Sequence, residues 1–454
     1  QTGQAITAPS RGSTDVKAML RMELRTLDRD LAAAQGKAAD AMTRAHLAEA
    51  RWQIERGAIG ICCAKLGEAE VFAASGFDDI RLPYPLNPAN ADRVLALLER
   101  HLPAAEVTLW PGDVGNGVKE MLQRRFPALR FAQTSAELAE AFARCDFLLH
   151  GSGPSLVGTD AVERWAKSTG KPYGVFGITL VAANAPERVL RLLTGAHFVY
   201  FRDSVSLAFA RSQGVASPLM DFGPDGAFAV DLADEPKATA LLRRFDLQPG
   251  KFLCCLPRYR QTPYWTIPRK KAALDPVKQA MNDRLKDHDH APHRAAIERL
   301  ARETDLKVLL CPEDETQMAL GKEMILDRLS PTARARCAWK PDFWLTDEAL
   351  SVYRLSAGLF GNEMHSPIMA IGNGIPAIVC RWETQTTKGF MWRDLGLGDW
   401  LFDFDDEAQV ARLPDAVLAM AKDPRGARVK AAAARDRAAA HHRGMVAQVA
   451  RAAG

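Results

Sequence analysis

The chain has 454 residues, 47% apolar and 25% charged, the composition of a globular protein with room for two or three domains. A formal net charge of +4, with the basic residues spread along the chain, gives no reason to expect a nucleic acid and suits a small anionic substrate equally well. No apolar run approaches the roughly 18 residues that span a bilayer, so no integral membrane segment is expected.

Residues 1–15 form a polar tail without the charged-then-apolar pattern of an intact signal peptide. Residues 16–56 carry apolar side chains at helical spacing. A short αβ passage follows: GAIGICCA is a strand candidate, KLGEAEVFAASG a helix ending at Gly76, and DDIRL a second strand. A further helix is expected over 91–101.

From Glu106 the alternation becomes regular. VTLW, LRFAQ, DFLLHGSG, PYGVFGITL and HFVYFRD read as strands. GVKEMLQRRFP, AELAEAFAR, DAVERWAKSTG, PERVLRLLTGA and SVSLAFARSQG read as the helices between and after them. A second block opens with the strand KFLCCLPRYR. It continues through a polar loop, a helix near 271–286, the His-rich piece DHDHAPH, a helix over 293–304, the strand LKVLLCPED and the helix TQMALGKEMILDRL. GLFG and IPAIVC are strands flanking the small-residue helix SPIMAIGNG, and residues 410–454 are Ala/Arg-rich and helical. The fold class is therefore α/β: two consecutive Rossmann-like lobes with an αβ N-terminal extension. The expected divisions are 1–104, 105–240, 241–408 and 409–454. In such sheets ligands bind beyond the carboxyl ends of the strands.

Eight cysteines occur, none in C-x-x-C or zinc spacing, and most lie in apolar runs. They are expected to be buried free thiols of a reducing compartment, the cytoplasm. DHDHAPH has the composition of a metal cluster without its spacing; it reads as a polar acceptor loop, and no metal is expected.

Several residues could carry chemistry. Arg202 ends a buried strand beside a helix start capped by Asp203, which suits an anion; the competing reading is a structural arginine paired with Asp203. Arg258 and Arg260 follow an apolar strand and can take a phosphate or carboxylate, or be a solvated loop. Glu363 and His365 stand at a strand-to-helix junction, where a carboxylate and an imidazole can move protons or merely order the turn. Lys388 sits in the polar loop ETQTTKG and can reach over a bound anion, or be exposed. Two Gly-rich turns, GDVGNG with Asn116 and HGSGPS with Ser152 and Gly153, let a ligand approach the backbone, but neither is a nucleotide fingerprint.

DFLLHGSGPSLVG, HFVYFRDSVS, DFGPDGAF and the EMH…GIP…K segment resemble the polysaccharide pyruvyl transferase family over about residues 105–405. That resemblance implies a two-lobed fold similar to B-type glycosyltransferases. It implies transfer of a pyruvyl group from phosphoenolpyruvate to two sugar hydroxyls as a ketal, with release of phosphate and no organic cofactor. It further implies that Arg202, His365 and Lys388 bind phosphoenolpyruvate. Glu363 stands where the family usually has arginine, so an anion-binding charge is replaced by its opposite. Either Arg258 and Arg260 compensate or the donor differs. His365 and Glu363 are the expected proton carriers, and a glycan or lipid-linked sugar is the expected acceptor. The sequence does not decide between a monomer and a homo-oligomer. Residues 56–82 are similar to a D-threonine aldolase or alanine-racemase-like barrel, which uses pyridoxal phosphate, over about 40–90. The segment bearing that family's Schiff-base lysine has no counterpart, so a remnant or fusion scar is expected. Two other readings stay open: a B-type glycosyltransferase using a nucleotide sugar, and a non-catalytic glycan-binding or assembly protein.

Overall fold

A computed structural model of the chain describes residues 61–62, 80–81, 91–101, 105–110, 117–267 and 272–453. The chain divides into two compact units, 1–84 and 85–454. In the first, β1 (Ile61–Cys62) and β2 (Ile80–Arg81) pair in parallel, within the two stretches read as strands. The expected tail, the 16–56 helix, most of the aldolase-like segment and Asn116 lie outside the described residues.

Among its described residues the second unit holds two larger parallel sheets and a two-stranded one, with helices between their strands. Its first lobe runs α1 (Ala91–His101), β3 (Thr108–Leu109), α2 (Val118–Arg125), β4 (Arg130–Phe131), α3 (Ser135–Arg144), β5 (Leu148–His150), α4 (Thr159–Thr169), β6 (Tyr173–Ile178), α5 (Glu187–Gly195), β7 (Val199–Phe201), α6 (Ser204–Ser212) and β8 (Met220–Phe222). β5-β6-β7-β8 form one sheet in chain order, and β3 and β4 pair separately. β6 and β7 are buried along their whole length, as expected of parallel strands covered on both faces.

The second lobe runs α7 (Glu235–Arg244), β9 (Phe252–Leu256), α8 (Pro276–Glu303), β10 (Lys307–Leu310), α9 (Gln317–Met324), β11 (Cys337–Trp339), α10 (Thr346–Leu355), β12 (Gly358–Gly361), α11 (His365–Gly372), β13 (Ala377–Arg381), β14 (Leu401–Asp403), α12 (Glu407–Lys422) and α13 (Pro424–Ala453). Its six strands lie in the order β11-β10-β9-β12-β13-β14. The chain starts at the centre with β9, builds one side, then crosses to build the other. The gap beyond the carboxyl ends of β9 and β12 is therefore the topological switch point, where open α/β sheets bind ligands. β9 and β12 approach closely there: a Cβ on Gly361 would stand 2.3 Å from the Leu256 carbonyl oxygen, so only glycine fits.

The His-rich piece is not a loop. DHDHAPH lies inside α8, which passes through Pro292 without a break. Proline disfavours a helix interior, but this segment is held from both sides: Asp289, His290, Pro292, His293, Ala296, Ile297 and Leu300 are all buried. Burial accounts for the neutral state of two of these histidines, His290 and His293. His290 and His293 each bond a backbone carbonyl one turn earlier through Nδ1. Burial depresses their pKa values, to about 4 and about 3.

α13 leaves the second lobe and completes the first. Arg428 near its start donates to the Ser356 carbonyl of the second lobe. Met445, Val446 and Val449 near its end join Leu95, Phe176, Phe198 and Tyr200 in a first-lobe core. All six cysteines whose side chains are described are free thiols, four of them buried. No described helix is long and apolar enough to cross a membrane.

Gly361→Ala is expected to lose roughly 3 kcal/mol or more of stability, because the added methyl meets backbone on the neighbouring strand. Urea unfolding measures this; an unchanged midpoint contradicts the close approach.

Candidate active site

The strand ends bring most of the singled-out residues together. Glu363 leaves β12 and Arg258 leaves β9, and their side chains form an ion pair across the switch point at 3.2 Å. The pair is largely buried, with 19% of the Arg258 side chain and 5% of the Glu363 side chain exposed. The other Glu363 oxygen accepts from Gln317 Nε2, and the Met364 amide donates at 3.3 Å. Burial raises the Glu363 pKa while Arg258 pulls it back. Every described partner of this carboxylate is a donor, so its geometry serves the ionised form.

His365 opens α11. Its Nδ1 donates to Glu313 Oε1 at 2.9 Å, and the Ser366 amide donates to Glu313 Oε2 at 2.7 Å. Glu313 follows β10 and was not singled out in the sequence, where CPED reads only as the end of a strand. Its signal is positional: an acidic residue just past a strand next to the switch point.

Lys388 lies in the loop after β13 and is only 9% exposed. Among the described residues its ammonium makes no hydrogen bond or ion pair. Burial lowers its pKa to about 8, and the guanidinium charges of Arg202 and Arg258 push in the same direction; Glu363 and Glu313 oppose them. The cluster therefore contains a nearly buried cation, hemmed in by two more, with no protein anion bound to it. Nearby strand ends add further unmet polar groups. The Asn362 amide and Arg258 Nε are buried without a partner among the described residues.

The Lys388 loop is strained and tied across the lobes. Thr386 has φ +66° and ψ −169°, a region almost reserved for glycine. Gln385 Nε2 donates to the Asn362 carbonyl at 2.8 Å. Thr387 Oγ1 donates to Asp203 Oδ2 at 3.1 Å, reaching the cap of α6 in the first lobe.

Arg202 comes from the end of β7 and is 2% exposed. It does not make its ion pair with Asp203. Its Nη1 pairs with Asp225 at 3.1 Å and its Nε donates to Thr179 Oγ1. Asp203 is instead the helix cap, accepting from the Ser206 amide at 2.7 Å. Burial raises its pKa against the pull of Ser206 and Arg202.

Two other expectations change. Arg260 is not offered to the cleft: its fork is taken by Asp289, at 2.8 and 3.0 Å, and by Asp405. That arrangement pins the Arg258 loop to α8, as Asn282 does through both backbone groups of Gln261. Ser152 Oγ accepts from the Gly226 amide at 2.8 Å and braces the turn that carries Asp225, whereas Gly153 bridges to Ile178 at the end of β6. Asn116 lies outside the described residues. No group of three or more His, Cys, Asp or Glu side chains among the described residues could hold a metal.

The family model described as polysaccharide pyruvyl transferase matches residues 89–384. Arg202, Arg258, Glu363 and His365 lie inside that span; Lys388 lies just beyond it. No curated protein matches the chain. Among solved structures, the chain is similar to UDP-GlcNAc 2-epimerase from Neisseria meningitidis bound to UDP-GlcNAc, at 10% identity and TM-score 0.51, over 80% of this chain and 96% of that one. It is also similar to an Anabaena protein in complex with UDP and glucose, at 11% identity and TM-score 0.49, over 80% and 95% of the two chains. The UDP-GlcNAc 2-epimerase from Methanocaldococcus jannaschii gives 12% identity and TM-score 0.48, over 72% and 90%. At 10% identity the likeness to the Neisseria enzyme speaks for the fold alone: two Rossmann-like lobes.

Two outcomes test the cluster. Sulfate keeps its charge between pH 7 and 9, so calorimetry should show binding about tenfold weaker at pH 9, as Lys388 loses its proton above about 8. In Lys388→Arg that pH dependence should vanish. Thr386→Gly should raise stability by roughly 1 kcal/mol, by relieving backbone strain, and weaken sulfate binding through a looser Lys388.

Proposed function

The chain belongs to the polysaccharide pyruvyl transferase family, and we propose that it moves a pyruvyl group from phosphoenolpyruvate onto two hydroxyls of a sugar in a bacterial glycan or its precursor. The observation that carries this reading is Lys388: a nearly buried ammonium with no anion bound to it among the described residues, electrostatically coupled to two guanidinium groups. A compact polyanion completes such a site. Phosphoenolpyruvate presents a phosphate and a carboxylate close together, and a cationic set that binds both also stabilises departing phosphate.

The reaction requires a proton at the methylene carbon of the donor. His365, next to the cluster and held by Glu313, is suited to give it. As that C–H bond forms, the first sugar hydroxyl attacks the adjacent carbon and returns its proton to the imidazole. The second hydroxyl then attacks the same carbon and gives its proton to the departing phosphate as the bond to the phosphate oxygen breaks, leaving the ketal and inorganic phosphate. Glu363 takes a different part from the one expected of it. With Arg258 and Gln317 donating to its two oxygens, it acts as the buried counter-ion that aims Arg258. Arg258 in turn offers a guanidinium near the strand end where the family usually has its own. The proposed chemistry uses no organic cofactor.

Phosphate release from phosphoenolpyruvate with a panel of sugar acceptors is the direct test. Lys388→Ala should weaken phosphoenolpyruvate binding by roughly 2–5 kcal/mol, the cost of removing one member of a desolvated charge pair. His365→Ala should stop phosphate release and leave that binding largely intact. Strong thermal protection by UDP with none by phosphoenolpyruvate would overturn the proposal in favour of a nucleotide-sugar enzyme.

A further inference from the structure

We propose that Glu313 is the positioning residue for His365, setting which imidazole nitrogen carries the reactive proton; the inference rests on the function proposed above for this site. Glu313 stands just past β10, 52 residues before His365 in the chain. Both of its oxygens are committed, one to His365 Nδ1 at 2.9 Å and one to the Ser366 amide at 2.7 Å. Its backbone is committed too: the Glu313 amide donates to Gln317 Oε1 at 2.7 Å. The amide nitrogen of Gln317 donates to Glu363, whose other oxygen holds Arg258. The carboxylate that orients the imidazole and the guanidinium beside the anion cluster therefore share one rigid support.

Two roles can be separated chemically. A carboxylate at a helix start satisfies an orphan amide, here that of Ser366. A carboxylate on Nδ1 also makes Nε2 the proton-exchanging nitrogen and stabilises the imidazolium form. A glutamine can do only the first. Its one amide oxygen accepts from Ser366, which turns the NH2 group toward Nδ1; two donors then face each other and the neutral ring must adopt the other tautomer. Glu363 beyond β12 interacts electrostatically with His365, and also with Glu313 beyond β10, Arg258 beyond β9 and Lys388 beyond β13. Glu313 is in hydrogen-bond contact with the His365 ring.

The experiment uses the full chain labelled with 15N-histidine, with His365→Gln to assign the signal. In the unsubstituted protein the neutral His365 ring should carry its proton on Nδ1. In Glu313→Gln it should carry it on Nε2, and the ring should titrate at lower pH. kcat for phosphate release should fall roughly 10²- to 10⁴-fold, with KM for phosphoenolpyruvate within about twofold and Tm nearly unchanged. If Glu313→Gln does not fold, Glu313→Asp provides the measurement: it keeps the charge, so the tautomer should be retained. A ring with the same tautomer and titration in Glu313→Gln, or the opposite tautomer in the unsubstituted protein, overturns the proposal and leaves Glu313 a helix cap. The ring signals report without turnover. A protein that never releases phosphate from phosphoenolpyruvate would thus sink the proposed function while leaving Glu313 separately decided.

Discussion

The parallel ladder between β9 and β12 is the constraint on which the site depends. It pairs Leu256 with Gly361, so the residues that follow on each strand emerge side by side. Arg258 and Glu363, 105 residues apart in the chain, meet there as an ion pair. Neither could be buried alone at tolerable cost, since an unpaired charge in a dry interior loses its hydration without recompense. The buried Glu363 carboxylate is thus the counter-ion that the Arg258 guanidinium requires. A guanidinium is still present at the switch point, but it arrives from the neighbouring strand and brings its own counter-ion.

Around this pair the protein gathers more buried charge than its own partners satisfy. Arg202 has Asp225 and Arg258 has Glu363, but Lys388 has no bound anion among the described residues. The strained backbone at Thr386 and the unmet amide of Asn362 lie in the same region. Unmet polar groups and backbone strain both weaken a fold, and both are usual where a ligand is to be held. The buried cysteines of the second lobe's strands contribute nothing of this kind. Burial raises the Cys254, Cys255 and Cys380 thiols well above their ordinary range, and they behave as small apolar residues.

Much of the fold was legible because parallel strands covered on both faces must be apolar runs, and FLCCL and AIVC can hardly be anything else. Arg202, Glu363, His365 and Lys388 were legible for a related reason: each directly follows a strand or its turn, where such sheets place ligands. The failures share a cause as well. Pro292 and the five polar residues of DHDHAPH read locally as a loop, yet tertiary burial carries α8 through them. Arg258 and Arg260 are equivalent in sequence, but the carboxylates that separate their roles, Glu363, Asp289 and Asp405, are distant in the chain. Glu313 escaped notice because its partner, His365, lies beyond the reach of any local pattern.

The C-terminal helix has a consequence for how the protein is made. Met445, Val446 and Val449 fill the core built by Leu95, Phe176, Phe198 and Tyr200. A ribosome delivers those four residues hundreds of codons before the three that cover them. Throughout that interval the nascent first lobe presents an unfinished aromatic surface, the kind of surface that recruits chaperones or aggregates. Residues 445–449, not the first lobe's own sequence, close it.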